Sequence, residues 1–268
     1  MPKTMLITGS SDGIGAAAAR RLSFDGHSVI IVGRSREKTA AVARELHSDF
    51  FVADFASLDE VRHLAAEITR RYPRIDVLAN NAGGVFGDPS RTVDGFEKTI
   101  QVNHLAPFLL TNLLTERLEA SKGRVVGTAS IMNLVGKVRL DDLEWQKRSW
   151  RSWAAYGTSK LETILFAREL AKRTTLESYS FHPGYVNTGF GADSPLMRFS
   201  QKLRPGGFGI TSAQGAVPLI RLVTEERVDA ANGAYFDQLK ANGRTRSAAN
   251  DAQLASDLWD RSAELVGL

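Results

Sequence analysis

Cysteine is absent from this chain, which excludes disulfides and thiolate metal sites and suits a cytoplasmic protein. The eight prolines form no linker. No serine-rich stretch, internal repeat, low-complexity tract or block of like charge divides the chain, so residues 1–268 read as one domain. No apolar run approaches the length of a membrane span. The start passes from Met1 and Pro2 directly into apolar Met5, Leu6 and Ile7, without the charged region and apolar core of a signal peptide. No membrane partner is expected. The net charge of +4 comes from 34 basic and 30 acidic residues. The basic residues are dispersed, with pairs such as Arg20/Arg21 and Arg70/Arg71 on expected helix surfaces. That pattern argues against nucleic acid and leaves a modest positive field for an anionic cofactor. His27, His47, His63, His104 and His182 show no ligand spacing, and no catalytic metal is expected.

What the chain does have is 43 % hydrophobic residues, ample for a core, arranged in alternating short and long apolar patterns. Strands are predicted at residues 4–8, 28–32, 50–53, 75–79, 124–129, 176–181 and 234–236. Helices are predicted at 14–25, 36–47, 58–72, 92–119, 154–173 and 211–223. Such alternation predicts an α/β Rossmann-type, doubly wound parallel sheet of about seven strands with helices on both faces. Sheets of this kind bind ligands beyond the C-terminal ends of their strands.

The first such end carries Thr8-Gly9-Ser10-Ser11-Asp12-Gly13-Ile14-Gly15. The spacing is G-x-x-x-G-x-G rather than G-x-G-x-x-G. Glycines at 9, 13 and 15 permit a tight turn and close backbone approach, and the helix N-terminus offers unpaired N–H groups to a pyrophosphate. Arg34, after the second strand, stands where an NAD enzyme usually has an acid for the ribose 2′-hydroxyl. Arginine accommodates a 2′-phosphate instead, so NADP(H) is the preferred cofactor expected, with NAD(H) possible. The alternative is an exposed loop arginine. Asp54 and Phe55 follow strand three near the expected adenine, although Asp54 could merely cap a turn. Asn80, Asn81, Ala82 and Gly83 follow strand four, close to the expected ribose.

Tyr156 and Lys160 lie four residues apart in the helix predicted at 154–173 and so share one face. An ammonium beside a phenol favours its ionised form and brings it toward acid–base work at neutral pH.

In this order, the glycine turn, Asn80-Asn81-Ala82-Gly83, Tyr156-x-x-x-Lys160 and Pro183-Gly184 resemble the short-chain dehydrogenase/reductase family over about residues 4–240. Gln101-Val102-Asn103-His104 and the long stretch from Ser130 to Tyr156 are similar to its retinol-dehydrogenase-like members, some of which carry an N-terminal membrane anchor not expected here. The resemblance implies a catalytic tetrad of Asn103, Ser130, Tyr156 and Lys160. Tyr156 would be general acid in carbonyl reduction and general base in alcohol oxidation. Lys160 would lower its pKa and bind the nicotinamide ribose, Ser130 would hold the substrate oxygen, and Asn103 would hold a relay water. Ser11, Asp12 and Ile14 would line the phosphates, with Asn81 near the ribose. Val186 and Thr188 would meet the nicotinamide and pyrophosphate.

Two residues also support themselves. Pro107 has no N–H to give the carbonyl of Asn103, which frees that oxygen for water, unless Pro107 simply sits in a first turn. Ser130 ends strand five, where a hydroxyl projects at the sheet edge; its rival Ser152 reads better as a helix cap. Twenty-five residues separate Ser130 from Tyr156. Among them Trp145, Trp150 and Trp153, with Phe190, Leu196, Met197 and Phe199 further on, either form an apolar mouth for a hydrophobic alcohol or carbonyl substrate or pack a loop or subunit contact. The resemblance also implies a homodimer or homotetramer paired through helices 92–119 and 154–173. Alternatives are a silent cofactor-binding sensor, and an epimerase or dehydratase with retained cofactor.

Overall fold

The computed structural model describes residues 1–186 and 209–268. Its sheet has eight strands in the order β3-β2-β1-β4-β5-β6-β7-β8. They are β1 (Thr4–Thr8), β2 (Ser28–Gly33), β3 (Phe50–Val52), β4 (Val77–Asn80), β5 (Arg124–Thr128), β6 (Glu177–His182), β7 (Tyr235–Asp237) and β8 (Lys240–Ala241). Every pairing is parallel except that of β7 with β8. β8 is the strand beyond the expected seven, a two-residue return at the sheet edge.

Helices fill the connections: α1 (Gly13–Phe24), α2 (Arg36–Leu46), α3 (Leu58–Arg71), the single turn α4 (Lys98–Ile100), α5 (Ala106–Glu119), α6 (Ser152–Arg173), α7 (Ser212–Thr224) and α8 (Ala252–Val266). Side-chain oxygens start several of them. Ser35 accepts from the N–H of Lys38 and Ser57 from that of Glu60. Thr211 and Gln214 form a reciprocal capping box, satisfying donors that the helix itself leaves free.

Alternation along the central strands sends side chains to two cores. Leu6, Ile30 and Leu78 face the layer containing α3, α5, α6 and α8, whereas Met5, Ile7, Val29 and Ile31 face α1, α2 and α7. Together the layers bury both faces of the sheet, and that explains its near-continuous apolar strands.

The region 92–119 departs from one continuous helix. Gly95 has φ +87° and a backbone bridge joins Arg91 to Glu97, so the helical path begins only at Lys98. It then widens into a π-helical turn, Gln101–Leu105, in which the Ala106 N–H reaches back to the Gln101 carbonyl. α8 was not anticipated either; it covers the sheet's α5–α6 side, with Trp259 stacked on Phe166 at 5.5 Å. Among the described residues no helix is long and apolar enough to cross a membrane.

Candidate active site

The strand order reverses between β1 and β4, and the glycine turn meets the Asn80–Gly83 segment there. Gly9 adopts φ +65°, and a Cβ on it would stand 2.8 Å from the Ala82 Cα. A Cβ on Gly15 would collide with the Gly9 carbonyl. Gly33 leaves open the space between Ser11 and Thr39, whose hydroxyls lie 2.7 and 2.5 Å from where its Cβ would be. Such a bare-backbone cradle at a helix N-terminus fits a dinucleotide pyrophosphate.

Asn81 holds this cradle together. Its amide donates to the carbonyls of Thr8 at 3.1 Å and Gly9 at 3.3 Å, and its oxygen accepts from the Thr128 hydroxyl at 3.1 Å. The side chain is thus committed to protein, and the N–H groups of Asn81 and Ala82 both donate to the Thr8 hydroxyl at 3.0 Å. Asp12 caps α1 through the Gly13 N–H at 2.7 Å and pairs with Lys38 at 3.2 Å. Arg34 is exposed directly after β2, as in the loop-arginine alternative, and Lys38 follows in the first turn of α2. Lys38 was overlooked in the sequence, although its place in the first turn after Arg34 was visible there.

The adenine-side residues fit less well. The Asp54 carboxylate accepts from the Ala56 N–H at 2.9 Å, the turn-capping alternative. The Phe55 ring is buried in the core and leaves only its backbone near the cleft. Val186 and Ile14 converge on Gly215 of α7; a Cβ there would lie 2.5 Å from Val186 and 3.4 Å from Ile14. Thr188, Phe190, Leu196, Met197 and Phe199 lie outside the described residues.

Two residues beyond β5, Ser130 has the extended backbone that starts a short 3₁₀ turn, Ile131–Val135. The Ser130 Oγ accepts from the Met132 N–H at 3.2 Å and shares a hydrogen bond with the Tyr156 phenol. Tyr156 and Lys160 sit on one face of α6, with the Lys160 Nζ 5.5 Å from the tyrosine ring centre. The amine donates to the Thr128 carbonyl at 2.7 Å. Burial dominates both groups. It pushes the Tyr156 phenol up to about 12, with the Ser130 hydrogen bond pulling the other way, and brings Lys160 down to about 8. The lowered phenol expected from the ammonium does not appear in the protein alone, because desolvation opposes phenolate formation more strongly.

Asn103 falls in the π-helical turn, a distortion frequent at functional sites. Three hydrogen bonds hold its side chain. Oδ1 accepts from the Gly84 N–H at 2.8 Å, while Nδ2 donates to the Gly84 carbonyl at 2.9 Å and the Ser159 hydroxyl at 3.0 Å. A cavity of about 20 Å³ adjoins it, lined by Asn103, Pro107, Thr128, Lys160 and Thr163, room for a single water. Asn103 and Lys160 thus line one small cavity, and Tyr156 links Lys160 to Ser130.

The rival Ser152 donates to the Phe86 carbonyl and is the first residue of α6 rather than its cap. Only one tryptophan of the expected mouth lies beside the phenol: Trp153 meets Tyr156 edge to face at 6.1 Å. Trp150 instead donates to Glu97 at 3.0 Å, and Trp145 stacks on Arg148 at 3.6 Å. Among the described residues no His/Asp/Glu group could hold a metal ion.

The family model for short chain dehydrogenase matches residues 3–197. A Streptomyces sp. strain C5 protein with the provisional name daunorubicin C-13 ketoreductase DnrU is 40 % identical, covering 99 % of this chain and 93 % of its own. Human retinol dehydrogenase 13 is 36 % identical over 99 % of this chain and 85 % of its own. A crystal structure of a Mycobacterium paratuberculosis protein superposes with a TM-score of 0.80 at 33 % identity, covering 99 % of this chain and 93 % of that one. A short chain dehydrogenase from Escherichia coli CFT073, complexed with NADPH, gives a TM-score of 0.68 at 28 % identity over 88 % of this chain and 96 % of that one.

Proposed function

Because this chain belongs to the short-chain dehydrogenase/reductase family, we propose that it is an NADP(H)-dependent oxidoreductase interconverting an alcohol and a carbonyl on a small hydrophobic substrate. The observation that carries this reading is the pairing of the Ser130 and Tyr156 hydroxyls, with the Lys160 amine 5.5 Å from the tyrosine ring centre. A bound nicotinamide dinucleotide supplies or accepts the hydride. Gly9, Gly13 and Gly15, with the backbone of Ser11 and Ile14, hold its pyrophosphate. Arg34 and Lys38 favour a 2′-phosphate over a bare hydroxyl, and Val186 packs beside the nicotinamide.

With a phenol near 12, Tyr156 is protonated at neutral pH and is the acid for carbonyl reduction. Ser130 steadies the substrate oxygen as charge develops on it, its hydroxyl turning from the phenol to donate there. Lys160, charged below about pH 8, offsets the negative charge left on the phenol. The neighbouring names, a ketoreductase and a retinol dehydrogenase, accord with an apolar carbonyl or alcohol.

The test is a panel of ketones, aldehydes and alcohols followed at the reduced-nicotinamide absorbance with each cofactor. Tyr156→Phe is expected to lower kcat by roughly 10²–10⁴-fold with the NADPH dissociation constant unchanged. Ordinary turnover by that variant would remove Tyr156 as proton donor.

A further inference from the structure

Ser130 is the one member of the tetrad that sits on a loop rather than a helix, so something else must fix its hydroxyl. Its backbone carbonyl accepts twice from Asn133: from the main-chain N–H at 3.0 Å, which closes the 3₁₀ turn, and from the side-chain Nδ2 at 2.9 Å. The Asn133 Oδ1 accepts from the Arg246 N–H at 3.0 Å, 113 residues away. The Arg246 guanidinium then donates to the Leu134 carbonyl at 3.2 Å. A carbonyl can only accept and a backbone N–H can only donate, so a single orientation of the amide satisfies both ends. Asn133 is 0 % exposed, and the buried Tyr235 hydroxyl lies against it without closing a hydrogen bond.

We propose that Asn133 is a positioning residue for the reaction: its side-chain amide, clamped by the segment at Arg246, fixes the peptide of Ser130 and thereby the aim of the Ser130 hydroxyl. This rests on the oxidoreductase reading above and deepens it. A loop serine would otherwise sample several orientations, and an ångström of misplacement at a reacting centre costs roughly a hundredfold. The clamp joins the segment between β8 and α8 to the turn after Ser130. Arg246 lies on that return, and its backbone supplies the contact whatever its side chain does.

The experiment is a double-mutant cycle with Ser130→Ala, reading kcat, KM and the NADPH dissociation constant by fluorescence titration. Asn133→Ala is expected to lower kcat roughly 10–100-fold with NADPH affinity within twofold of wild type. In the Ser130→Ala background the same change is expected to cost nothing further, because the group it positions is gone. Unchanged kcat in Asn133→Ala, or an equal loss in both backgrounds, overturns the proposal.

Should Asn133→Ala fail to fold, Asn133→Asp provides the second route. Its protonated carboxyl can donate to the Ser130 carbonyl and accept from Arg246, whereas the ionised form has no proton to donate. Its kcat is then expected to fall with rising pH through a titration the wild type lacks, at constant NADPH affinity; a profile parallel to wild type overturns the proposal. Wild-type protein that binds NADPH but turns over nothing in the panel defeats the functional reading and this inference together. Turnover with an additive cycle defeats this inference alone.

Discussion

Lys160 shows how a single side chain sets a pH range. Its amine is buried and bonded to one carbonyl, and that desolvation lowers its pKa to about 8. The Tyr156 phenol, at about 12, stays protonated well above that. In carbonyl reduction the phenol does not lose its proton to solvent first; the ammonium is the group that changes. Below about pH 8 Lys160 is charged and stabilises the phenolate left after proton transfer; above it that help is lost. The rate of reduction is therefore expected to hold from neutral pH down and to fall as pH rises through about 8, measured as kcat/KM against pH. Lys160→Met is expected to be slow throughout and to lack this alkaline limb; an unchanged limb in that variant would assign the titration elsewhere. The four-residue spacing of Tyr156 and Lys160 was legible in the sequence because helix geometry alone puts them on one face. The sign of the phenol's shift was not, because burial is a property of the whole fold.

At the scale of elements, α6 carries a second titrating group that the reaction does not use. Neither carboxylate oxygen of Glu162 has a hydrogen-bond partner among the described residues, and the residue is 0 % exposed. Burial pushes its carboxyl up to about 8; Arg148 pulls it down and Glu97 adds to the rise. The folded protein thus holds a proton that the unfolded chain releases near the ordinary glutamate value of about 4.3. Stability from this site is complete below that value and is lost as pH rises through the window up to about 8. Glu162→Gln is expected to remove the loss, so the melting temperature of the variant gains on wild type between pH 5 and 8. The comparison isolates this site, because Lys160, with its lowered pKa, acts in the opposite sense above that window in both proteins. A variant that loses stability equally at every pH would show the carboxyl to be well bonded.

Other elements were legible to different degrees, for physical reasons. The central strands and α1–α3 were plain from continuous apolar runs and glycine or serine boundaries. The start of the helix at Lys98 was hidden, because the turn before it depends on the positive φ of Gly95 and a bridge across Arg91 and Glu97. Pro107 falls in the first turn of α5, the alternative its position allowed, directly after the π-helical turn. Asn133 carried no local signal at all; its role exists only because Arg246 is brought back beside it.

The proposed cofactor site belongs to the whole molecule, since the glycine turn after β1, Arg34 after β2 and Lys160 on α6 come from separate elements. A ligand spanning them binds only the folded chain, so its affinity adds directly to stability. At a hundredfold excess over Kd this is worth about 2.7 kcal/mol, which for a chain of this size is a rise in melting temperature of roughly 5–10 °C. NADPH is expected to give that rise, and NADH at equal concentration a smaller one. The difference should come from Arg34 and Lys38, the basic edge at the mouth of β2, where Lys38 already pairs with Asp12. Arg34→Ala combined with Lys38→Ala is expected to reduce the NADPH shift to that of NADH while leaving the NADH shift in place. Because both side chains are exposed, salt screens them, so the NADPH advantage should also shrink as ionic strength rises. Equal shifts for the two cofactors in the wild type, or an advantage that survives the double substitution, would transfer cofactor choice away from this edge. Differential scanning at matched concentrations decides between these outcomes without requiring any substrate.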